Sequence, residues 1–249
     1  MLNLAKTLSK FLVRSSQWTL QSRVWFATAQ TLCTDDSQLK MGGQEYWQNR
    51  WLTGQIGFHK KQINDYLIDN IDLLTGGKKG IKIFVSLCGK SLDLKWFANL
   101  GHDVTGLEFS DVAIKTLFEE QQMDYTVSPM ENLKSGTIFK SKDHNIQVYC
   151  CDFFDFSSSI AGQFDAVWDR LAFGAMPPCK RKQYSDILVS LMKPGAQCLM
   201  LNNEYDPTVM EGPPYHVPIE NIQEFFGDRC EIRTIQRGDS LEDRWKKRT

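Results

Sequence analysis

With 249 residues, 42% of them apolar, the chain is long enough for one large domain with its own core. A net charge of −1, with the basic residues scattered, excludes the electrostatic footprint of a nucleic-acid binder. No apolar run reaches the length of a membrane span, and seven cysteines without a C-x-x-C pair argue for free thiols in a reducing compartment rather than a disulfide frame or a zinc site.

The first 34 residues carry Lys6, Lys10, Arg14 and Arg23 and no acid. Leu4, Leu8, Phe11 and Leu12 fall on one helical face and Lys6, Lys10 and Arg14 on the opposite one, the pattern of a mitochondrial transit peptide. A disordered tail, or sequence upstream of a start at Met41, fits the same residues. Either way, residues 1–40 are set outside the fold as an extension to a domain of residues 41–249.

From Glu45 the chain reads as an aromatic helix, with Trp47 and Trp51 four apart and therefore on one face. Gly54 and Gly57 break it just before Phe58. Aromatics at helical spacing are usually core, yet glycines beside them also let such a segment hinge as a lid over a ligand. A second helix runs through Ile63, Leu67, Ile68 and Ile71.

The run IKIFVSL, Ile81 to Leu87, is a strand buried on both faces. The turn after it holds Gly89, Lys90 and Ser91, like the tail of a phosphate-binding loop. A Walker loop needs a glycine five residues before Gly89, and Phe84 stands there. A dinucleotide loop needs three glycines, and Gly89 is alone in this turn. Ser91 then caps a helix with Leu92, Trp96, Phe97 and Leu100 on one face, stopped by Gly101. The strand HDVTGLE follows. Its final Glu108 lies 19 residues after Gly89, close to the distance at which a strand-end carboxylate accepts from ribose hydroxyls. Adenosine with a short tail free of phosphate fits, which points to S-adenosylmethionine. The plain alternative for Glu108 is a turn residue or helix cap.

Ser110 starts a helix with Ile114, Leu117 and Phe118 buried. The strand NIQVYCCDFFDF ends at Asp152 and Phe153, an acid to accept from an adenine amine and a ring to stack on it. An Asp that merely caps the strand end reads equally well. FDAVWDR is a further strand, with Asp169 and Arg170 at its end, where a salt bridge from Arg170 to Asp169 or another nearby acid is the plain reading. A helix over Tyr184–Met192, the strand AQCLMLNNEY, the helix NIQEFFG and the strand CEIRTIQ complete the body. The β-α-β alternation predicts an α/β fold with a doubly wound, mostly parallel sheet. Ligands on such sheets sit beyond the carboxyl ends of the strands, where Leu87, Glu108, Asp152, Phe153 and Arg170 all fall.

The segments YWQNRWLTGQIGFH, LCGKSLDLKWFANLGHDVTGLE, YCCDFFDF, FDAVWDR, YDPTVMEGPPYHVP and EDRWK run in order from about residue 44 to the end. Together they resemble the thiopurine S-methyltransferases. The resemblance implies a class I methyltransferase fold with S-adenosylmethionine as cofactor; the widely separated histidines and the cysteine spacing give no metal site. It implies cofactor contacts from Trp47, Gln48, Trp51, Gly54, Phe58, Leu87, Glu108, Asp152, Phe153 and Arg170. Phe58, Arg170 and Arg244 are its acceptor contacts, and Arg170 and Arg244 its catalytic candidates, with no general base singled out. The activity implied is S-methylation of aromatic and heterocyclic thiols, thiopurines included, by a cytoplasmic monomer; the basic N-terminus suggests the mitochondrial matrix instead. Two other readings stay open: the same fold methylating another small-molecule nucleophile, and a catalytically weak cofactor-binding pseudo-enzyme. Ser86 stands where the family usually has proline, and Leu171 where a small residue is usual, which narrows the expected acceptor pocket. The family's last strand, expected after Trp245, is missing, which would leave a sheet edge uncovered.

Overall fold

The structure, a computed structural model, describes residues 7–15, 42–131 and 133–239. In chain order it begins with strand β1 (Thr7–Ser15), helix α1 (Gln44–Leu52), the short helices α2 (Asp65–Asp69) and α3 (Ile71–Thr75), and strand β2 (Lys82–Val85). Helix α4 (Asp93–Asn99), strand β3 (Asp103–Glu108), helix α5 (Asp111–Glu120) and the strands β4 (Tyr125–Met130), β5 (Leu133–Ser141) and β6 (Ile146–Cys150) follow. The remainder is α6 (Ser158–Ala161), β7 (Phe164–Arg170), α7 (Ala172–Ala175), α8 (Arg181–Ser190), β8 (Met192–Glu204), α9 (Ile219–Phe226) and β9 (Cys230–Asp239).

The sheet order is β4-β5-β6-β3-β2-β7-β8-β1-β9. Neighbours from β6 to β8 pair in parallel; the pairs outside that block are antiparallel. Side chains alternate across the sheet as a pleated strand requires. Phe84, Val167, Cys198 and Met200 join one apolar layer, with Tyr184 and Leu188 of α8 and Ile222 and Phe226 of α9. Ile83, Val85, Ala166, Trp168, Leu199 and Leu201 join the other, with Leu67, Leu94, Phe97, Ile114 and Leu117 from the helices of that side. Each such aliphatic or aromatic side chain contributes about 1.5–3 kcal/mol by leaving water. Helix α4 packs so close to β3 that a Cβ on Gly106 would sit 2.8 Å from Cys88 Sγ and 3.0 Å from Leu94 Cδ2. That contact fixes the turn between β2 and α4 against the sheet.

Residues 7–15 are the main correction to the sequence reading. They form a strand inside the sheet, antiparallel to β8 (Phe11 opposite Met200) and to β9 (Phe11 opposite Thr234). Phe11 and Val13 are both fully buried in the first apolar layer. The segment therefore cannot be set outside the fold as a whole; for 7–15 the amphipathic-helix reading gives way to a strand. A stretch this short satisfies both periods, and a slot with hydrogen-bonding edges on both sides decides for period two. β1 also covers the edge of β8 that the sequence reading leaves open. The rest of the segment, residues 1–6 and 16–41, lies outside the described residues.

Two smaller differences concern local pattern. The helix expected through Ile63–Ile71 is two short helices that meet at Asn70, whose side chain donates to Tyr66 O. The hairpin β4–β5 was not foreseen: β4 is mostly exposed, so it lacks the apolar alternation that marks a strand, and it carries Pro129, as an edge strand can. Cys88, Cys150, Cys151, Cys198 and Cys230 are free thiols as expected, whereas Cys179 is held in a disulfide.

Candidate active site

The carboxyl ends of β6, β3, β2 and β7 stand side by side, and a cavity of about 460 Å³ opens at them. Leu87 and Gly89 follow β2, Glu108 ends β3, Asp152 and Phe153 follow β6, and Arg170 ends β7; all line the cavity. Trp47 and Trp51 of α1, with Phe58 and His59, line it as well. Beyond β7 the wall continues through Leu171, Ala172, Ala175, Met176 and Pro177.

Glu108 is buried, at 4% exposure. Its Oε2 accepts from Gly89 N at 3.0 Å and its Oε1 from Ser110 N at 2.9 Å. Burial pushes its pKa up to about 7, against the opposing pull of these backbone N–H groups. Each carboxylate oxygen has a second lone pair to offer. Ser110 Oγ, next to it, is buried without a partner. Gly89 has φ +51, and a Cβ there would sit 2.9 Å from the Trp51 ring. Only glycine lets the indole close on this turn. A buried acceptor for two hydroxyls beside aromatic walls fits an adenosine-bearing cofactor.

The aromatic cluster is built edge to face. Phe58 meets Trp47 at 5.3 Å and Trp51 at 5.5 Å between ring centroids. Trp47 Nε1 donates to Gly42 O at 3.1 Å. Across the cavity, Arg170 Nη2 donates to the Phe58 carbonyl at 2.9 Å, tying the end of β7 to the aromatic segment. The salt bridge considered for Arg170 and Asp169 is not what Asp169 does. Asp169 is fully buried, accepts from Tyr184 Oη at 2.8 Å, and caps α7 by accepting from Ala172 N and Phe173 N. Tyr184 Oη in turn lies 2.6 Å from Ser86 Oγ; since Tyr184 donates to Asp169, the serine donates to it. Burial raises the Asp169 pKa to about 6. His59 is driven the other way, down to about 4, by burial and then by the charges of Lys90 and Arg170. It is therefore a neutral imidazole at ordinary pH. Lys90 is held by Glu120 at 2.6 Å.

Trp47, Trp51, Phe58, Leu87, Glu108, Asp152, Phe153 and Arg170 are thus brought to one cavity, as the sequence suggests. Gln48 and Gly54 are not. Gln48 lines a separate surface depression beside α1, and Gly54 stands in the turn after α1 with open space around it. Arg244 lies outside the described residues. Phe153 stacks on Tyr184 (4.4 Å, 18° between planes) and is buried, so its ring serves the core as well as the cavity wall. Asp152 Oδ1 accepts from Phe154 N at 2.9 Å, the capping role that was its plain reading. Phe109, Phe154 and His59 also line the cavity, each the direct neighbour of a residue the sequence singles out, as do Lys90, which the sequence marks only as part of the Gly-Lys-Ser turn, and Lys180, which carries no local signal.

Residues 43–249 match the family model described as thiopurine S-methyltransferase. The chain belongs to the thiopurine S-methyltransferase family. It is 39% identical to the thiopurine S-methyltransferase of Rattus norvegicus over 200 residues, covering 80% of this chain and 83% of that one. It is 40% identical to the enzyme of Canis lupus familiaris over 202 residues, covering 81% and 82%. Among solved structures, a Haemonchus contortus phosphoethanolamine N-methyltransferase superposes with a TM-score of 0.53 at 15% identity, over 74% of this chain and 42% of that one. That likeness supports the S-adenosylmethionine-dependent methyltransferase fold. In this thiopurine S-methyltransferase family member, Ser86 uses its hydroxyl to anchor Tyr184, a bond that proline could not make.

Proposed function

We infer that the protein transfers the methyl group of S-adenosylmethionine to the sulfur of aromatic and heterocyclic thiols, thiopurines among them. The observation that carries the reading is the single cavity that joins the buried Glu108 carboxylate to an apolar half beyond β7 with Arg170 at the junction. The acceptor half has Leu171, Ala172, Ala175, Met176 and Pro177 with the cations Arg170 and Lys180 and no carboxylate among its lining residues. Such a lining suits a soft, anionic nucleophile and is poor for a cationic amine.

S-adenosylmethionine, when bound, supplies a methyl group activated on a sulfonium. Glu108 holds the ribose hydroxyls, Asp152 accepts from the adenine amine, and Leu87 with the rings of Trp47, Trp51, Phe58 and Phe153 packs around the nucleoside. The aromatic segment excludes water, and a dry site helps because charge is lost when a thiolate attacks a cation. Arg170 orients the acceptor and favours its thiolate form by charge-assisted hydrogen bonding. Aromatic thiols ionise more readily than alkyl thiols, so a strong base is not required. His59, neutral beside Arg170, is a weak base and acts as a polar wall. We assign the protein to the cytosol as a monomer. Residues 7–15 are locked in the sheet, so removal of a targeting peptide would take a strand with it, and among the described residues no helix is long and apolar enough to cross a membrane. Size-exclusion chromatography tests the monomer.

Calorimetric titration with S-adenosylmethionine, followed by turnover of benzenethiol, tests the whole reading; absence of binding defeats it. For Arg170, both Arg170→Ala and Arg170→Lys are expected to lower kcat/KM by about 1.5–3 kcal/mol, because lysine lacks the planar fork. A loss restored by saturating cofactor would assign Arg170 to cofactor binding alone. The lid role of α1 and Phe58 has its own check. Trypsin is expected to cut at the exposed Lys60 and Lys61 more slowly when S-adenosylmethionine is present. Equal rates would make these aromatics permanent core.

A further inference from the structure

Among the described residues, Leu87, Gln122 and Leu171 are the non-glycine residues with positive φ, and both leucines line the active-site cavity. A branched side chain rarely adopts this conformation, because its Cβ crowds the backbone, and such outliers gather where function holds them. Leu171 has φ 63 and ψ 10. Its backbone is pinned from every side. Its N–H donates to Leu201 O at 2.9 Å, its carbonyl accepts from Ala175 N at 2.9 Å, and Asp169 Oδ1 fixes the next two N–H groups. The side chain is half-buried and packs against the second apolar layer. Ala172 and Ala175 on this wall are small, so Leu171 and Met176 are its bulky aliphatic groups, and Leu171 is the one that directly follows Arg170.

The strand order fixes which half of the cavity this is. Glu108 and Leu87 end β3 and begin the turn after β2; β7 is the next strand along, and Leu171 follows it. Leu171 therefore stands past the nucleoside half, on the side where the acceptor enters.

We propose that Leu171 is a specificity-determining residue that limits the width of the acceptor, so that one-ring and two-ring thiols, thiopurines included, fit and fused three-ring thiols do not. The proposal deepens the S-methyltransferase reading and rests on it for the identity of the acceptor. A rigid backbone holds the Leu171 Cα and Cβ in place, and the side chain can turn only against the second apolar layer on which it packs.

The test uses the full-length protein saturated with S-adenosylhomocysteine and a ladder of unreactive, product-like thioethers: thioanisole, 2-(methylthio)naphthalene and 9-(methylthio)anthracene. Binding is read by quenching of tryptophan fluorescence and by thermal shift. The wild type is expected to bind thioanisole at least about tenfold more tightly than the anthracene, the scale on which a pocket excludes extra apolar bulk. Leu171→Gly and Leu171→Asn should erase that ratio while leaving S-adenosylhomocysteine affinity unchanged. Both residues accept positive φ, so both variants should fold, and asparagine covers the case in which glycine loosens the loop. An unchanged size ratio in the folded variants overturns the proposal, as does a wild type that binds all three alike or none. Turnover of benzenethiol by the wild type is measured separately. Its absence defeats the S-methyltransferase reading and leaves the binding ladder legible.

Discussion

Phe11→Ala is expected to destabilise the fold by about 3–5 kcal/mol, the cost of removing a buried phenyl ring. Val13→Ala should cost about 1–2 kcal/mol, by the same loss of methyl groups. Arg14→Ala, exposed on the other face, should stay within about 0.5 kcal/mol of the wild type. Phe11 and Val13 are fully buried in the layer under α8, and β1 makes ladder bonds to β8 on one side and β9 on the other. Leu12→Pro should be more damaging still, because proline removes an N–H inside a central strand. Urea denaturation reads all four. The pattern distinguishes strand from helix: a strand makes 11 and 13 sensitive together, whereas a helical stripe would pair 8 with 11 and 12. If all four variants melt like the wild type, β1 is not part of the fold. A companion experiment separates structure from targeting. A fluorescent reporter fused to residues 1–40 frees the basic segment from the sheet and can reveal a targeting activity that the full-length chain, with β1 inserted, is expected to suppress.

What the sequence made legible follows from which physical signals are local. The parallel core reads easily because IKIFVSL, FDAVWDR and CLMLN are short, largely apolar runs in a β-α-β alternation, as strands buried on both faces are. Glu108 could be named because the single-glycine turn and the strand-end acid lie within one β-α-β unit. The failures involve decisions taken elsewhere in the chain. Residues 7–15 fit helix and strand equally, and only the open edges of β8 and β9, nearly two hundred residues later, choose between them. The hairpin β4–β5 sits at the sheet edge, exposed enough that Val127 keeps 52% of its surface, so burial never shaped its pattern. Gln48 was assigned with Trp47 and Trp51, but one residue turns a helix by about 100°, which carries Gln48 off the face the two indoles share. The role of Asp169 was hidden because its partner Tyr184 comes from a helix with no motif to mark it.

Cofactor binding is expected to release a proton at pH 6 and to strengthen about tenfold per pH unit below pH 7, then level off. The cause is Glu108. In the free protein its pKa stands at about 7, so at pH 6 most molecules carry a neutral carboxylic acid there. The acid can accept only weakly from ribose hydroxyls, while the carboxylate accepts strongly, so binding draws the pKa down and expels the proton. Titration calorimetry at pH 6 and pH 8, in buffers of different ionisation heat, counts that proton directly. Glu108→Gln keeps an acceptor oxygen and a similar shape but cannot titrate; it should bind about 1.5–3 kcal/mol more weakly at pH 8 and show no proton release. His59, with a pKa near 4, and Asp169, near 6 and engaged by Tyr184 and α7, remain in that variant. Persistent release in Glu108→Gln would therefore move the effect to Asp169. The same group has an opposite consequence for the free protein. A carboxyl whose folded pKa exceeds its unfolded value stabilises the fold fully below about 4.5 and loses that contribution as pH rises through about 7. The difference is about 3 kcal/mol at pH 8. Glu108→Gln should thus be the more stable protein at pH 8 without cofactor, and saturating cofactor should narrow that gap by about 1.5–3 kcal/mol, the binding that the variant loses. That narrowing is what a carboxylate kept buried for a ligand predicts. A carboxylate that only caps α5 would give neither the proton nor the narrowing.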